Sequence, residues 1–170
     1  MALVLAIAAV AVGAFVLYKQ LQTTDPLTAG LRAHAEGRLV EARENYELVL
    51  ETDPGNKYAH YNLGLIDQVS GNLDSATRHY ELALRTDEDY APATFNLATV
   101  ETARGSDEKA IRLYRRLLVL EPNNALAHLN LGFALRATGH IEEGRAELDR
   151  AIAIDPRLES RRTEQADGEG

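Results

Sequence analysis

Apolar side chains in this chain recur in helical runs separated by short polar turns, and the turns return at a fixed interval. Gly37, Gly71, Gly105 and Gly139 stand 34 residues apart, in EGRL, SGNL, RGSD and TGHI. A glycine between two apolar-periodic runs supplies the left-handed backbone that ends one helix and admits the next. Five places after each glycine comes a small residue, Ala42, Ala76, Ala110 and Gly144, and four further on a large one, Tyr46, Tyr80, Tyr114 and Leu148. The small residue lets two helices of a pair approach, and the large one fills the space beside that contact. Pro54, Pro122 and Pro156 close their intervals, because proline cannot continue the helix before it; Glu88 is the departure in that slot. The pattern predicts an all-α fold of antiparallel helix pairs, each burying its stripe only by stacking on the next.

Outside the repeating part the pattern changes at both ends. Met1 to Tyr18 contain no charged side chain. As a helix they would reach roughly 27 Å, near the ~30 Å hydrocarbon core, with Tyr18 and Lys19 at the interface. The expectation is a single transmembrane helix over residues 1–19, a single-pass membrane location and contact with the lipid bilayer through that segment. A cleaved signal peptide with its site at Ala9-Val10-Ala11 is the rival, disfavoured because no Lys or Arg precedes the apolar run. The side of the membrane faced by the remainder stays open. At the other end, residues 159–170, ESRRTEQADGEG, lack periodic apolar positions and are expected to be a disordered acidic tail. Without a covering helix, Leu148 and Ile152 of the last repeat are expected to lie exposed.

Asn62-Leu63-Gly64, Asn130-Leu131-Gly132 and Asn96-Leu97-Ala98 add a further motif at the same step. Together with the Gly, Ala, Tyr and Pro series it resembles the tetratricopeptide repeat, over residues 23–56, 57–90, 91–124 and 125–158 without insertion. The first repeat departs most, with Ala29-Gly30 and no Asn-Leu in its opening helix. The resemblance implies a right-handed superhelix, or α-solenoid, of four helix-turn-helix repeats over 23–158, with the first helix of each pair on the inner wall. By that geometry Tyr58, Tyr61, Asn62, Leu65, Phe95, Asn96, Thr99, Leu129, Asn130, Phe133 and Arg136 face a concave groove. Rings and aliphatic groups interleaved with amides suit an extended or helical peptide. Asn62, Asn96 and Asn130 form a ladder, one residue per repeat, which could equally bond neighbouring helices; Tyr46, Tyr80 and Tyr114 read as core. One branch of the family grips chaperone C-terminal carboxylates with Lys, Asn, Asn, Lys and Arg. The matching slots here hold Tyr61, Leu65, Asn96, Leu126 and Asn130, so that clamp is absent.

Composition narrows the chemistry. The chain of 170 residues has a formal net charge of -8, which argues against nucleic acid as a partner, and has no cysteine, so no disulfide or thiolate site exists. Charge is uneven: residues 23–90 carry 6 basic and 13 acidic groups, whereas 91–124 carry 5 and 4. Arg112, Arg115 and Arg116 fall on a second helix, as an acidic-partner patch or as ordinary surface charge. His34, His60, His79, His128 and His140 never pair at three- or four-residue spacing, so no helical metal pair is expected, and His60 and His128 share one repeat slot. No phosphate loop or nucleophile motif is present, and no cofactor is expected. The sequence therefore points to a non-enzymatic, membrane-anchored scaffold whose groove binds a protein or peptide. The alternative is a structural element of a membrane or envelope assembly, forming a homo-oligomer through an uncapped C-terminal repeat.

Overall fold

The structure, a computed structural model, describes residues 25–162. The described chain is helical: α1 (Pro26–Ala35), α2 (Leu39–Thr52), α3 (Lys57–Val69), α4 (Leu73–Thr86), α5 (Ala91–Ala103), α6 (Asp107–Leu120), α7 (Ala125–Ala137) and α8 (Ile141–Ile154), then a 3-10 turn at Pro156–Leu158. The four glycines at the 34-residue step sit between the helices of each pair with φ of +74°, +77°, +72° and +85°. Each therefore occupies the left-handed region that costs other residues about 1 kcal/mol or more.

The chain divides into two compact units, residues 1–52 and 53–170. In the first, α1 and α2 form a hairpin in which Tyr46 is fully buried. The Tyr46 ring lies where a Cβ on Gly30 would sit, 2.7 Å away, so this first pair keeps the small-against-large contact although it lacks Asn-Leu. Burial pushes the Tyr46 hydroxyl up to about 12.

The second unit contains α3 to α8. α4 and α6 each pack on their own first helix and on the first helix of the next pair, and α8 packs on α7 and the 3-10 turn. Tyr80 of α4 packs with Ala93, Leu97 and Val100 of α5; Tyr114 and Leu117 of α6 pack with Leu131 and Leu135 of α7. Gly64 admits the Tyr80 ring, which would lie 2.5 Å from an added Cβ. In the last pair Leu148 replaces the ring, Gly144 replaces Ala, and the helices close further: a Cβ on Gly132 would meet the Gly144 carbonyl oxygen at 2.8 Å. Successive first helices, α3 with α5 and α5 with α7, also touch, and so line one inner face of this unit.

The turn carrying Glu88 holds without proline. α4 ends at Thr86, and the Asp87 carboxylate accepts from the Asp89 backbone N–H (3.2 Å) while the Asp87 carbonyl accepts from the Tyr90 N–H (3.2 Å). The carbonyls of Asp53 and Glu121 accept the same backbone bond in the turns that carry proline, so the turn is held by that bond with or without the proline.

Two expectations are corrected. The single-pass membrane location rested on residues 1–19, which lie outside the described residues. Among the described residues no helix is long and apolar enough to cross a membrane. The longest helices have 14 residues, about 21 Å, and each bears charged side chains on one face, so the location is not retained. The second correction concerns the C-terminal end. Leu158 is buried and packs with Leu129, Leu148 and Ala151, and residues 159–162 are helical. The 159–170 segment thus starts as a helix, and Leu148, 2% exposed, is covered; Ile152 is half-buried. Proline at 156 ends α8 and turns Leu158 back onto it, a contact that the polar composition of the tail concealed.

Candidate functional site

The inner face of the second unit is built by α3, α5 and α7, and their sequences explain why. Each begins with a cap or a helix-compatible start: the Asn56 side chain accepts from the Ala59 N–H (3.0 Å), the Asn124 side chain from the Ala127 N–H (2.9 Å), and Pro92 occupies the first turn of α5. The buried stripe runs through Ala59, Leu63 and Ile66 and their 34-residue equivalents. That leaves the opposite positions, with rings, amides and hydroxyls, on the surface.

The eleven residues expected at the groove take different places. Tyr58 is 47% exposed, its ring edge-on to Tyr90 at 6.0 Å. Tyr61 is half-buried, with its ring 5.4 Å from that of Tyr90 and its hydroxyl accepting from Asn96 Nδ2 at 3.1 Å. Burial raises the Tyr61 hydroxyl above its ordinary value, against the opposing effect of the Asn96 bond. Phe95 is half-buried and edge-on to Tyr114. Thr99 donates to the Phe95 carbonyl (3.0 Å), and its Oγ1 lies 3.3 Å from the Tyr114 hydroxyl. Leu65 and Phe133 are half-buried at the edges of core clusters. Arg136 is half-buried and its stem passes Gly144, whose added Cβ would lie 2.7 Å from Arg136 Cγ.

The asparagine ladder is not uniform. Asn62 is buried and donates to its own helix, to the Tyr58 carbonyl at 2.7 Å. Asn96 instead reaches back one repeat to Tyr61, and Asn130 is half-buried. Leu129 is fully buried among Leu148, Ala151 and Leu158. The close approach of Gly132 to Gly144 and the return of Leu158 enclose it, so it belongs to the core and not to the groove surface.

Three of the eleven, Tyr61, Phe95 and Asn96, line one pocket of about 300 Å³ between α5 and the start of α7, together with Pro92, Leu126 and Glu121. Pro92 and Leu126 are not among the eleven. Both occupy the slot of Tyr58 in later repeats, so the 34-residue step itself pointed to them. Beside the pocket, Lys57 Nζ donates to Asp87 Oδ2 at 2.5 Å and lies 5.0 Å from the centroids of both Tyr58 and Tyr90. That ion pair raises the Lys57 ammonium above its ordinary 10.5 and holds the Asp87 carboxyl below its ordinary 3.8.

His60 and His128, in one repeat slot, do one job: each ring Nε2 lies 3.0 Å from the carbonyl oxygen of the preceding turn's proline, Pro54 or Pro122. Their Nδ1 atoms differ in partner, His79 Nδ1 at 3.2 Å for His60 and Glu147 Oε2 at 2.5 Å for His128. Among the described residues no group of three His, Asp or Glu side chains is placed to hold a metal ion.

The helix pairs, their glycine turns and the small-against-large contacts are those of a tetratricopeptide-repeat-like solenoid fold. Two family models agree: one described as TPR repeat matches residues 98–139, and one described as Tetratricopeptide repeat matches residues 125–158. Among solved structures the chain is similar to MamA, with a TM-score of 0.72 at 22% identity over 82% of this chain and 85% of that one. A second MamA crystal structure gives 0.57 at 19% identity over 78% and 91%, and MamA of AMB-1 gives 0.70 at 22% over 77% and 72%. At these identities the likeness is one of fold. No curated protein matches the chain.

Proposed function

We propose that the chain is a non-enzymatic scaffold that binds a protein partner through the inner face of α3, α5 and α7. The observation that carries this reading is the pocket of about 300 Å³ bounded by Tyr61, Pro92, Phe95 and Leu126. Its volume suits a single bulky apolar side chain, and the rings around it are held by contacts within the fold, so little order is lost on binding. Apart from Lys57 and Arg136 the exposed and half-buried positions of the three inner helices are uncharged. An apolar or amphipathic segment fits such a wall better than a charged tail does.

The test uses peptides selected from a random library on the full chain. Binding of a selected peptide is expected to fall at least tenfold in Leu126→Glu, which alters a residue 42% exposed, with the helical circular dichroism unchanged. Equal binding to the variant would remove the groove from the account. Self-assembly through a bare last repeat has less support, because Leu158 covers Leu148; association through other faces is a separate matter for solution mass.

A further inference from the structure

The pocket of the inner face carries charge of one sign. Around Tyr61, Pro92, Phe95 and Leu126 the one charged lining residue is Glu121, and no Lys, Arg or His joins it there. Glu121 is exposed, and its carboxylate accepts from Asn124 Nδ2 at 2.7 Å. That partner is neutral, so the negative charge is not cancelled. Nor is the carboxylate spent on the start of α7, where the Asn124 side chain accepts from the Ala127 N–H.

The same sign runs along the edge where α3, α5 and α7 begin. The connections into these helices, DPGN over 53–56, DEDY over 87–90 and EPNN over 121–124, hold five carboxylates and no basic residue. Cations from outside answer two of the five: Lys57 meets Asp87 at 2.5 Å, and Arg116 lies 3.9 Å from Glu88. Asp53 accepts only from the neutral Asn56 Nδ2, at 3.0 Å. Among the described residues Asp53, Asp89 and Glu121 thus have no cationic partner. Carboxylates before a helix start gain from its dipole, but the free N–H groups of α3 and α7 already have Asn56 and Asn124 as caps. The opposite edge, SGN over 70–72, RGS over 104–106 and TGH over 138–140, has no acidic residue.

We infer that the partner segment of the inner face is basic as well as apolar: a bulky apolar side chain enters the pocket, and a Lys or Arg beside it meets Glu121. Asp89 and Asp53 continue the same sign along the edge for further basic residues. The inference rests on the inner-face reading and adds the partner's charge to it. The apolar side chain supplies most of the contact, while the carboxylates select the partner's sign, since an acidic neighbour would meet like charge.

The experiment selects peptides from a random library on the full chain and, in parallel, on the full chain with Asp89→Asn and Glu121→Gln together. Both substitutions fall at exposed positions, and the second keeps an acceptor for Asn124. Peptides selected on the unaltered chain are expected to carry Lys or Arg beside a bulky apolar side chain more often than the library does. The variant, whose net charge falls only from -8 to -6, is expected to lose that excess. By fluorescence anisotropy the tightest labelled peptide should bind the variant about fivefold more weakly, with the gap closing at about 1 M salt. Replacing its basic residues by glutamine should abolish the difference. Leu126→Gln, which adds no charge, should weaken every selected peptide. Peptides that respond to Leu126→Gln but show no basic excess, or an acidic one, overturn the inference and leave the inner-face reading standing. A basic excess that survives in the variant does the same, since it then follows the overall charge. Peptides indifferent to Leu126→Gln, or no saturable binding up to about 1 mM, overturn both. A peptide that binds only by turning a dimer into monomers overturns the inference by making a second copy the occupant.

Discussion

At the scale of single residues, small side chains set the spacing of the helices and large ones fill it. Gly64→Ala would place a Cβ 2.5 Å from the Tyr80 ring, and Tyr80 is fully buried with its hydroxyl donating to Gln68 Oε1 at 2.7 Å. Since the ring cannot move without giving up that bond, the substitution should cost about 1–3 kcal/mol, read as a lower urea midpoint at unchanged slope. The buried pair His128–Glu147 makes a second case. Nε2 of His128 lies 3.0 Å from the Pro122 carbonyl oxygen, and Nδ1 lies 2.5 Å from Glu147 Oε2. Glu147→Leu alone strands Nδ1 and should destabilise by about 3 kcal/mol. Adding His128→Thr recreates the Thr94–Leu113 combination of the preceding repeat and should restore most of the loss, a coupling measurable in a double-mutant cycle. The sequence showed that His60 and His128 share a slot. That each bonds a proline carbonyl was not readable, because it depends on how far the turn folds back over the first helix.

At the scale of elements, the 34-residue step disclosed the helix pairs, the left-handed turns and the role of the three tyrosines. The failures lie where a contact depends on the ends of elements. Leu129 carries the same spacing as Tyr61 and Phe95, yet it is enclosed because Gly144 and Gly132 bring α7 and α8 together and Leu158 closes the end. The polar run after Leu158 suggested disorder, although Pro156 and a single leucine suffice to cover the last pair. Glu88 interrupts the proline series without interrupting the turn, since the Asp87 carbonyl accepts the same backbone bond that the Asp53 and Glu121 carbonyls accept beside proline. Asp87 also joins the α4–α5 turn to α3 through Lys57, and this link gives a pH dependence. The folded Asp87 carboxyl lies below its ordinary 3.8, so its contribution is present above that value and lost as pH falls through the lower, folded value. The folded Lys57 ammonium lies above its ordinary 10.5, so its contribution is present below that value and lost as pH rises through the higher one. Between these limits stability should exceed that of Lys57→Met, and the two proteins should converge in strong acid and strong alkali when melting temperature is followed against pH.

At the scale of the whole molecule, the repeat gives two kinds of surface. In the second unit the first helices leave rings, amides and hydroxyls on an inner face, and the second helices carry most of the exposed charged side chains. The central claim is that the inner face is the binding surface for an apolar segment. Hydroxyl-radical footprinting tests it most directly, on the full chain with and without a peptide selected against it. Oxidation of Tyr58, Tyr61, Phe95 and Leu126 should drop severalfold on binding, while Val119, 80% exposed on α6, stays as reactive as before. Unchanged oxidation of those four residues with a bound peptide would contradict the claim.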